Sequence, residues 1–155
     1  MIRVQQEPFD TGHEIAALKA GNTNIGGVTC FVGTVRDLSG GKAVDAMTLE
    51  HYPGMTEAAL AEIERDALAR WPLEASLIVH RYGRLEPGDD IVLVIAASAH
   101  RQDAFEACQF LIDWLKTKAP FWKLETGDGG DAWVEAREAD DAAADRWSDV
   151  EASQT

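Results

Sequence analysis

The 155-residue sequence has no long apolar run, no paired cysteines and few basic side chains. Its longest apolar run, residues 91–99, is far shorter than the roughly 20 residues that cross a bilayer. The N-terminal MIRVQQEPFD is too polar for a secretion signal. Cys30 and Cys108 lie far apart and outside any CxxC pair, so we expect two buried, reduced thiols and neither a disulfide nor a metal site. These absences indicate a cytoplasmic protein.

Basic residues are scarce but unevenly spread. Fourteen Lys and Arg stand against 27 Asp and Glu, and the net charge of −13 disfavours binding to nucleic acid or anionic membranes. Yet three of the five lysines, Lys116, Lys118 and Lys123, lie within eight residues that include no acid. The sequence therefore predicts a local cationic site in an acidic protein.

Several common catalytic motifs are also missing. The sequence has no GxxxxGK[ST] loop, no GxSxG turn and no HExxH helix, so nucleotide hydrolases, serine esterases and zinc proteases lack their required parts. His13 and His80 have no partner nearby in sequence and carry no prediction of function.

Hydrophobic periodicity predicts one α+β domain over residues 1–147, with a mixed or antiparallel sheet and an additional β-hairpin. Residues 148–155 are predicted to be an acidic, flexible tail. Residues 37–45 are polar and contain glycine, which predicts a mobile loop. The predicted strands are 28–36, 46–52, 75–82, 91–99, 121–125 and 131–137, and the predicted helices are 57–70 and 99–118.

The second predicted helix contains the first candidate site residue. Its predicted apolar stripe consists of Phe105, Cys108, Ile112 and Leu115. At about 100° per residue, Lys116 returns to within about 20° of Phe105, so we expect a partly desolvated lysine that can carry a proton or act as a nucleophile. Lys118 points to the opposite face, and Lys123 lies on a short strand that can return toward Lys116. A snorkelling lysine that caps the helix C-terminus fits the same geometry equally well.

Other polar residues stand at predicted strand and helix ends. His100 and Arg101 lie where a buried strand gives way to the helix, and a helix N-terminus with two such side chains suits an anion such as phosphate. The alternative is a histidine that satisfies a backbone group and an arginine paired with a surface acid. Arg36 and Arg137 each end a strand and would alone be interpreted as solvated arginines. His51, at a strand end, is a candidate ligand or acid, although a packing role is favoured.

Seven segments together resemble the large, catalytic subunit of molybdopterin synthase. They are FVGTVR (31–36), LEHYPGM (49–55), RWPL (70–73), SAHR (98–101), FEACQFLIDWLK (105–116), LKTKAPFWK (115–123) and WVEARE (133–138). They occur in order, with compatible spacing, over nearly the whole chain. The resemblance implies an α/β-hammerhead-type fold.

The resemblance also implies an activity and partners. Sulfur is expected to come from the C-terminal Gly-Gly thiocarboxylate of a small ubiquitin-like carrier and to pass to cyclic pyranopterin monophosphate. Two successive transfers open the cyclic phosphate and form the dithiolene, with no metal or redox cofactor on this subunit. The implied assembly is a homodimer flanked by two carriers, which makes a heterotetramer.

The same resemblance implies roles for six residues. It places Lys116 and Lys123 as the essential pocket lysines, and Arg36, His100, Arg101 and Arg137 as substrate-anion contacts. Arg101 and Lys116 are fifteen residues apart on one helix, roughly 22 Å along its axis, which one small pterin cannot bridge. We therefore predict that His100 and Arg101 of one subunit approach the lysines of its twofold mate.

Two other classes of function compete with this interpretation. A non-catalytic module would bind a ubiquitin-like tail or a phosphorylated metabolite through the same cationic residues. Lysine at both Lys116 and Lys123 favours the enzyme, because arginine would serve simple anion binding as well. A hotdog-like thioesterase would need a catalytic carboxylate or nucleophile, for which the sequence offers no clear candidate. The order of the two transfers, the lysine that acts first and the identity of the carrier stay open.

Overall fold

The computed structural model describes residues 1–39, 41–127, 130–134 and 138–152, which form nine strands and four helices. The strands are β1 (Ile2–Gln5), β2 (Gly27–Thr34), β3 (Leu38–Ser39), β4 (Lys42–His51), β5 (Leu73–Arg81), β6 (Gly83–Leu85), β7 (Asp90–Ser98), β8 (Phe121–Gly127) and β9 (Gly130–Trp133). The helices are α1 (Thr11–Lys19), α2 (Met55–Arg70), α3 (Arg101–Lys118) and α4 (Glu138–Ala152). Within the described residues, no helix is both long and apolar enough to cross a membrane.

The first sheet has the strand order β1-β5-β7-β2, with β1 parallel to β5 and the other pairs antiparallel. This confirms the predicted antiparallel pairing of residues 75–82 with 91–99 and the mixed sheet. Helices cover both faces, which explains why β5 and β7 are apolar on both sides. Helices α2 and α3 pack on the face that carries Ile78 and Val94, and Phe9, Ile15 and Leu18 cover the other face.

The second sheet has the order β3-β4-β8-β9, and β6 pairs with β4 as well. The hairpin of β8 and β9 confirms the predicted additional hairpin. A small core of Val35, Leu49, Leu85 and Ile91 joins the second sheet to the first. The result is the predicted α+β domain, with the second sheet beside the end of α3.

Residues 37–45 differ from the predicted loop. Leu38 pairs with Ala43 and Ser39 with Lys42, so β3 and the start of β4 form a tight hairpin. Gly41 adopts a φ of 79°, which tight hairpin turns require and which glycine adopts without strain. The loop prediction is therefore wrong for residues 38–39 and 42–45, because a glycine-containing polar segment also suits a hairpin turn.

The acidic C-terminal residues form a helix on α3. In α4, Arg146 Nη2 and Trp147 Nε1 both donate hydrogen bonds to Asp113 Oδ2 of α3, at 3.0 and 2.9 Å. The Trp147 ring also packs edge-on against Phe110, with 5.5 Å between ring centroids. Helix α4 continues to Ala152, past the boundary predicted at residue 147. The flexibility of residues 148–155 stays a prediction.

Candidate active site

A cavity of about 540 Å³ opens where α3 ends, between the first sheet and β8. Its floor includes His80 of β5 and Val92 of β7, which are paired in the sheet. Helix α3 covers the same face of the sheet farther along, and Leu115 is its last buried residue. The cavity therefore begins where α3 stops covering the sheet.

The end of α3 and the start of β8 bring two predicted lysines together. Pro120 prevents the helix from continuing, and β8 begins at Phe121. Side chains alternate along a strand, so Phe121, Lys123 and Glu125 share a face and all line the cavity, whereas Trp122 is 47% exposed. Lys116, in the last turn of α3, lines the same cavity.

Lys118 lies elsewhere, as the helical geometry predicts. It does not line the cavity, and its Nζ sits 4.5 Å from the centroid of the Trp114 ring. Lys116 and Lys118 are both exposed, so the cavity contact, and not burial, distinguishes the two lysines.

The expected apolar stripe of α3 is wrong at its first residue. Phe105 is 60% exposed, whereas the buried stripe runs through Ala104, Cys108, Leu111 and Leu115, at spacings of four, three and four. Lys116 follows Leu115 and lies on the flank of this stripe. The expected partial burial of Lys116 is therefore wrong, and its ammonium group reaches the cavity from an exposed position.

Arg36 supplies a third positive charge. It lies two residues past the end of β2, where Val35 donates to the Asp89 carbonyl at 2.9 Å and accepts from Gly88 N–H at 2.8 Å. These bonds hold the backbone next to Arg36, whose side chain lines the cavity. The charged residues among the described lining are Arg36, Lys116 and Lys123 against Glu125 and Asp140. A chain with 27 acids thus places a cationic excess at one cavity, which suits an anionic ligand.

His80 is the site residue that the sequence interpretation missed. It is 3% exposed, stacks on Phe121 with 3.7 Å between ring centroids, and lines the cavity. Burial lowers its pKa from 6.5 to about 3, the Arg81 carbonyl opposes the shift, and Lys116, Lys123 and His51 add to it. A histidine at the end of an apolar strand gives no signal in the sequence until β8 is known to fold over it.

The remaining predicted site residues lie away from this cavity. His100 and Arg101 are exposed at the N-terminus of α3, the opposite end of the helix from Lys116. The described part of the chain therefore does not bring them to the lysines within one subunit. Arg137 lies outside the described residues. His51 packs against Tyr82, with 4.4 Å between ring centroids, as favoured from the sequence.

The two cysteines do not provide a sulfur nucleophile in the cavity. Cys108 is buried, its thiol lies 3.8 Å from the Val94 carbonyl, and burial raises its pKa to about 12. Cys30 is exposed, so the expectation of two buried thiols is wrong for Cys30. Neither residue is among the described lining of the cavity.

Comparisons with known proteins agree with this fold. Residues 4–118 match the family model described as MoaE protein. The chain is 58% identical over 148 residues to the molybdopterin synthase catalytic subunit of Pseudomonas aeruginosa, covering 96% of this chain and 99% of that protein. It is 55% identical over 146 residues to the subunit of the same name from Escherichia coli K12, covering 94% and 97%.

A solved structure shares the whole fold. The molybdopterin biosynthesis MoaE protein from Burkholderia ambifaria MC40-6 superposes with a TM-score of 0.82 at 55% identity, and the match covers 96% of this chain and 97% of that one. On the family match and on these identities over nearly its full length, the chain belongs to the MoaE protein family.

Proposed function

We propose that this chain is the catalytic subunit of a molybdopterin synthase. It transfers sulfur from the C-terminal thiocarboxylate of a small ubiquitin-like carrier to cyclic pyranopterin monophosphate. The observation that carries the proposal is the meeting of Lys116, Lys123 and Arg36 at one cavity in a family whose relatives bear this name. We further propose that it acts in the cytoplasm.

The three cations suit the anions that this reaction brings together. The carrier ends in an anionic thiocarboxylate and the precursor contains a phosphate, so both gain from fixed positive charge in the cavity. The planar guanidinium of Arg36, with its fork of N–H donors, serves to hold an anion. Lys116 and Lys123 carry protons that can be given to, or taken from, the reacting groups as sulfur leaves the carrier and adds to the pterin.

Neither cysteine needs to carry sulfur in this scheme. Each transfer breaks one carrier C–S bond, and water supplies the oxygen that turns the thiocarboxylate into a carboxylate. The sulfur replaces one oxygen on the pterin, which leaves as the phosphate oxygen in the transfer that opens the cyclic phosphate and as water in the other. Two carriers are consumed for each dithiolene. The inert, buried Cys108 and the position of Cys30 outside the described lining of the cavity support sulfur delivery by the partner.

We propose that the site is completed by a second subunit. His100 and Arg101 begin α3 and Lys116 lies in its last turn, about 22 Å away along the helix axis. A twofold dimer can bring the N-terminus of α3 in one subunit to the cavity of the other. Arg137, outside the described residues, is proposed as a further anion contact.

A reconstituted reaction tests the proposed function. The protein is mixed with thiocarboxylated carrier and cyclic pyranopterin monophosphate, and molybdopterin is measured through its fluorescent oxidation product. Product should form with the thiocarboxylated carrier and not with a carrier that ends in an ordinary carboxylate. Tight carrier binding without product would instead favour the non-catalytic binding module.

Carrier affinity is predicted to depend on the carrier's tail and on salt. Deleting the terminal Gly-Gly of the carrier should weaken binding at least tenfold, because the cations of the cavity lose the carboxylate end that they receive. Raising ionic strength should weaken the intact carrier more than the truncated one, since salt screens charge pairs. Titration calorimetry measures both effects. Equal affinity for the intact and truncated carriers would move the main contact away from this cavity.

A further inference from the structure

The roles proposed for the lysines and arginines leave His80, at the cavity floor, without a function. It pairs with Val92 of β7 on one side and with Val4 of β1 on the other, so its backbone is fixed inside the sheet. Its side chain lies on the face of the first sheet that α3 covers, just beyond the C-terminal end of that helix. His80 is therefore held at the cavity floor by backbone pairing on both sides of its strand.

The orientation of the His80 ring is also fixed. Phe121 stacks on the imidazole with an angle of 16° between the ring planes. Nδ1 lies 2.8 Å from the Arg81 carbonyl oxygen. A carbonyl can only accept, so Nδ1 carries the hydrogen and donates it, and the lone pair of the neutral ring is on Nε2. Within the described part of the chain, no group forms a hydrogen bond with this Nε2.

The His80 ring stays neutral across the pH range in which the protein works. Its burial and the nearby positive charges of Lys116 and Lys123 lower the pKa to about 3, so the ring is neutral near pH 7. The cavity thus contains an uncharged hydrogen-bond acceptor among cationic donors.

An uncharged acceptor has a specific use in this cavity. A pterin presents N–H groups as well as oxygens, and each N–H that leaves water needs an acceptor. A carboxylate at the position of His80 would attract Lys116 or Lys123 as an ion partner and reduce the positive charge available to the phosphate. Neutral Nε2 accepts a hydrogen bond without this cost.

We propose that His80 positions the substrate, with Nε2 accepting a hydrogen bond from an N–H group of the pterin ring system. The inference rests on the proposed function and identifies the part of the substrate that lies on the cavity floor. Phe121 then has the role of holding the imidazole in place, and Arg36 and the lysines contact the anionic groups of the ligands.

Three substitutions separate the acceptor from the rest of the His80 side chain. His80→Phe keeps a ring to stack on Phe121 but has no ring nitrogen, and His80→Asn keeps only a donor near the position of Nδ1. His80→Gln places an amide oxygen near the position of Nε2. Loss of one hydrogen bond should raise the dissociation constant of cyclic pyranopterin monophosphate about tenfold in the Phe and Asn variants. The Gln variant should stay within about threefold of wild type.

The measurements are anaerobic titration of the precursor and steady-state kinetics with the thiocarboxylated carrier. KM for the precursor should rise more than kcat falls, and carrier affinity should not change. His51→Phe is the matched control, because His51 lies 6.2 Å from the Phe121 ring, between centroids, but does not line the cavity. It should leave precursor affinity unchanged.

Two results would overturn the inference while leaving the proposed function intact. One is wild-type precursor affinity in His80→Phe, and the other is an equal loss in all three His80 variants, which would indicate packing alone. A wild-type protein that forms no product with the thiocarboxylated carrier would overturn the proposed function and this inference together.

Discussion

Lys116→Ala and Lys123→Ala are each expected to lower the rate of molybdopterin formation by about 10² to 10³-fold, the usual cost of removing one hydrogen-bond donor that stabilises negative charge in a transition state. Both side chains line the cavity, and both are exposed or half-buried, so their removal should leave the fold intact. Single-turnover assays with thiocarboxylated carrier measure the effect. Thermal unfolding should show unchanged stability, and titration of the carrier separates any loss of carrier affinity from the loss of rate.

Lys118→Ala is the matched control for this prediction. It removes the same group from the same turn of α3, but Lys118 lies over the Trp114 ring and outside the described lining of the cavity. The lost cation–π contact is worth about 0.5–1 kcal/mol of stability at an exposed site, and the rate should fall less than about threefold. If Lys118→Ala were the most damaging of the three substitutions, the assignment of helix faces would be wrong.

Mixing two inactive variants, Arg101→Ala and Lys116→Ala, is expected to restore activity when their subunits exchange. In a shared site, the mixed dimer has one cavity with both defects and one with neither. Each mixed dimer should therefore regain up to about half of the activity of a wild-type dimer. The rate of molybdopterin formation is measured before and after exchange, and mass spectrometry establishes the fraction of mixed dimers.

The parental variants alone, taken through the same exchange conditions, provide the control. Their activity should stay low, because every cavity in them contains the same defect. If mixed dimers form and activity remains at the parental level, each subunit contains a complete site. The placement of His100 and Arg101 at the cavity of the twofold mate would then be wrong.

The elements with strong periodicity were predictable from the sequence. The continuous apolar run of β7 and the Pro87-Gly88 turn before it predicted the central antiparallel pair. Pro120 predicted the end of α3. Elements without a buried face of their own were missed. Helix α1 has no buried residue, and β1 is four residues long and finds its place only by pairing with β5. Helix α4 was not predicted, because its six acidic residues suggested a solvated tail. In the structure, Trp147 packs onto α3.

The residues of the candidate site likewise include some that were predictable from the sequence and one that was not. Lys116 and Lys123 were predicted to lie close together because a short strand after Pro120 can return toward the end of the helix, and because the surrounding sequence resembles a known family. The helix-face argument that placed Lys116 with Phe105 was wrong, since Phe105 is exposed. His80 was missed because its environment is made by long-range packing. Its partners, Phe121 and the lysines, follow it by more than 30 residues, and only the return of β8 from the end of α3 places them around it.

Isotopic tracing of sulfur is the most direct measurement of the central claim. The carrier is prepared with ³⁴S in its terminal thiocarboxylate, all other sulfur stays at natural abundance, and molybdopterin from the reconstituted reaction is analysed by mass spectrometry. The account predicts two heavy sulfurs in each product molecule and the consumption of two carriers, with Cys30→Ser giving the same result. Product that contains unlabelled sulfur, or the absence of product while carrier and precursor both bind, would contradict it.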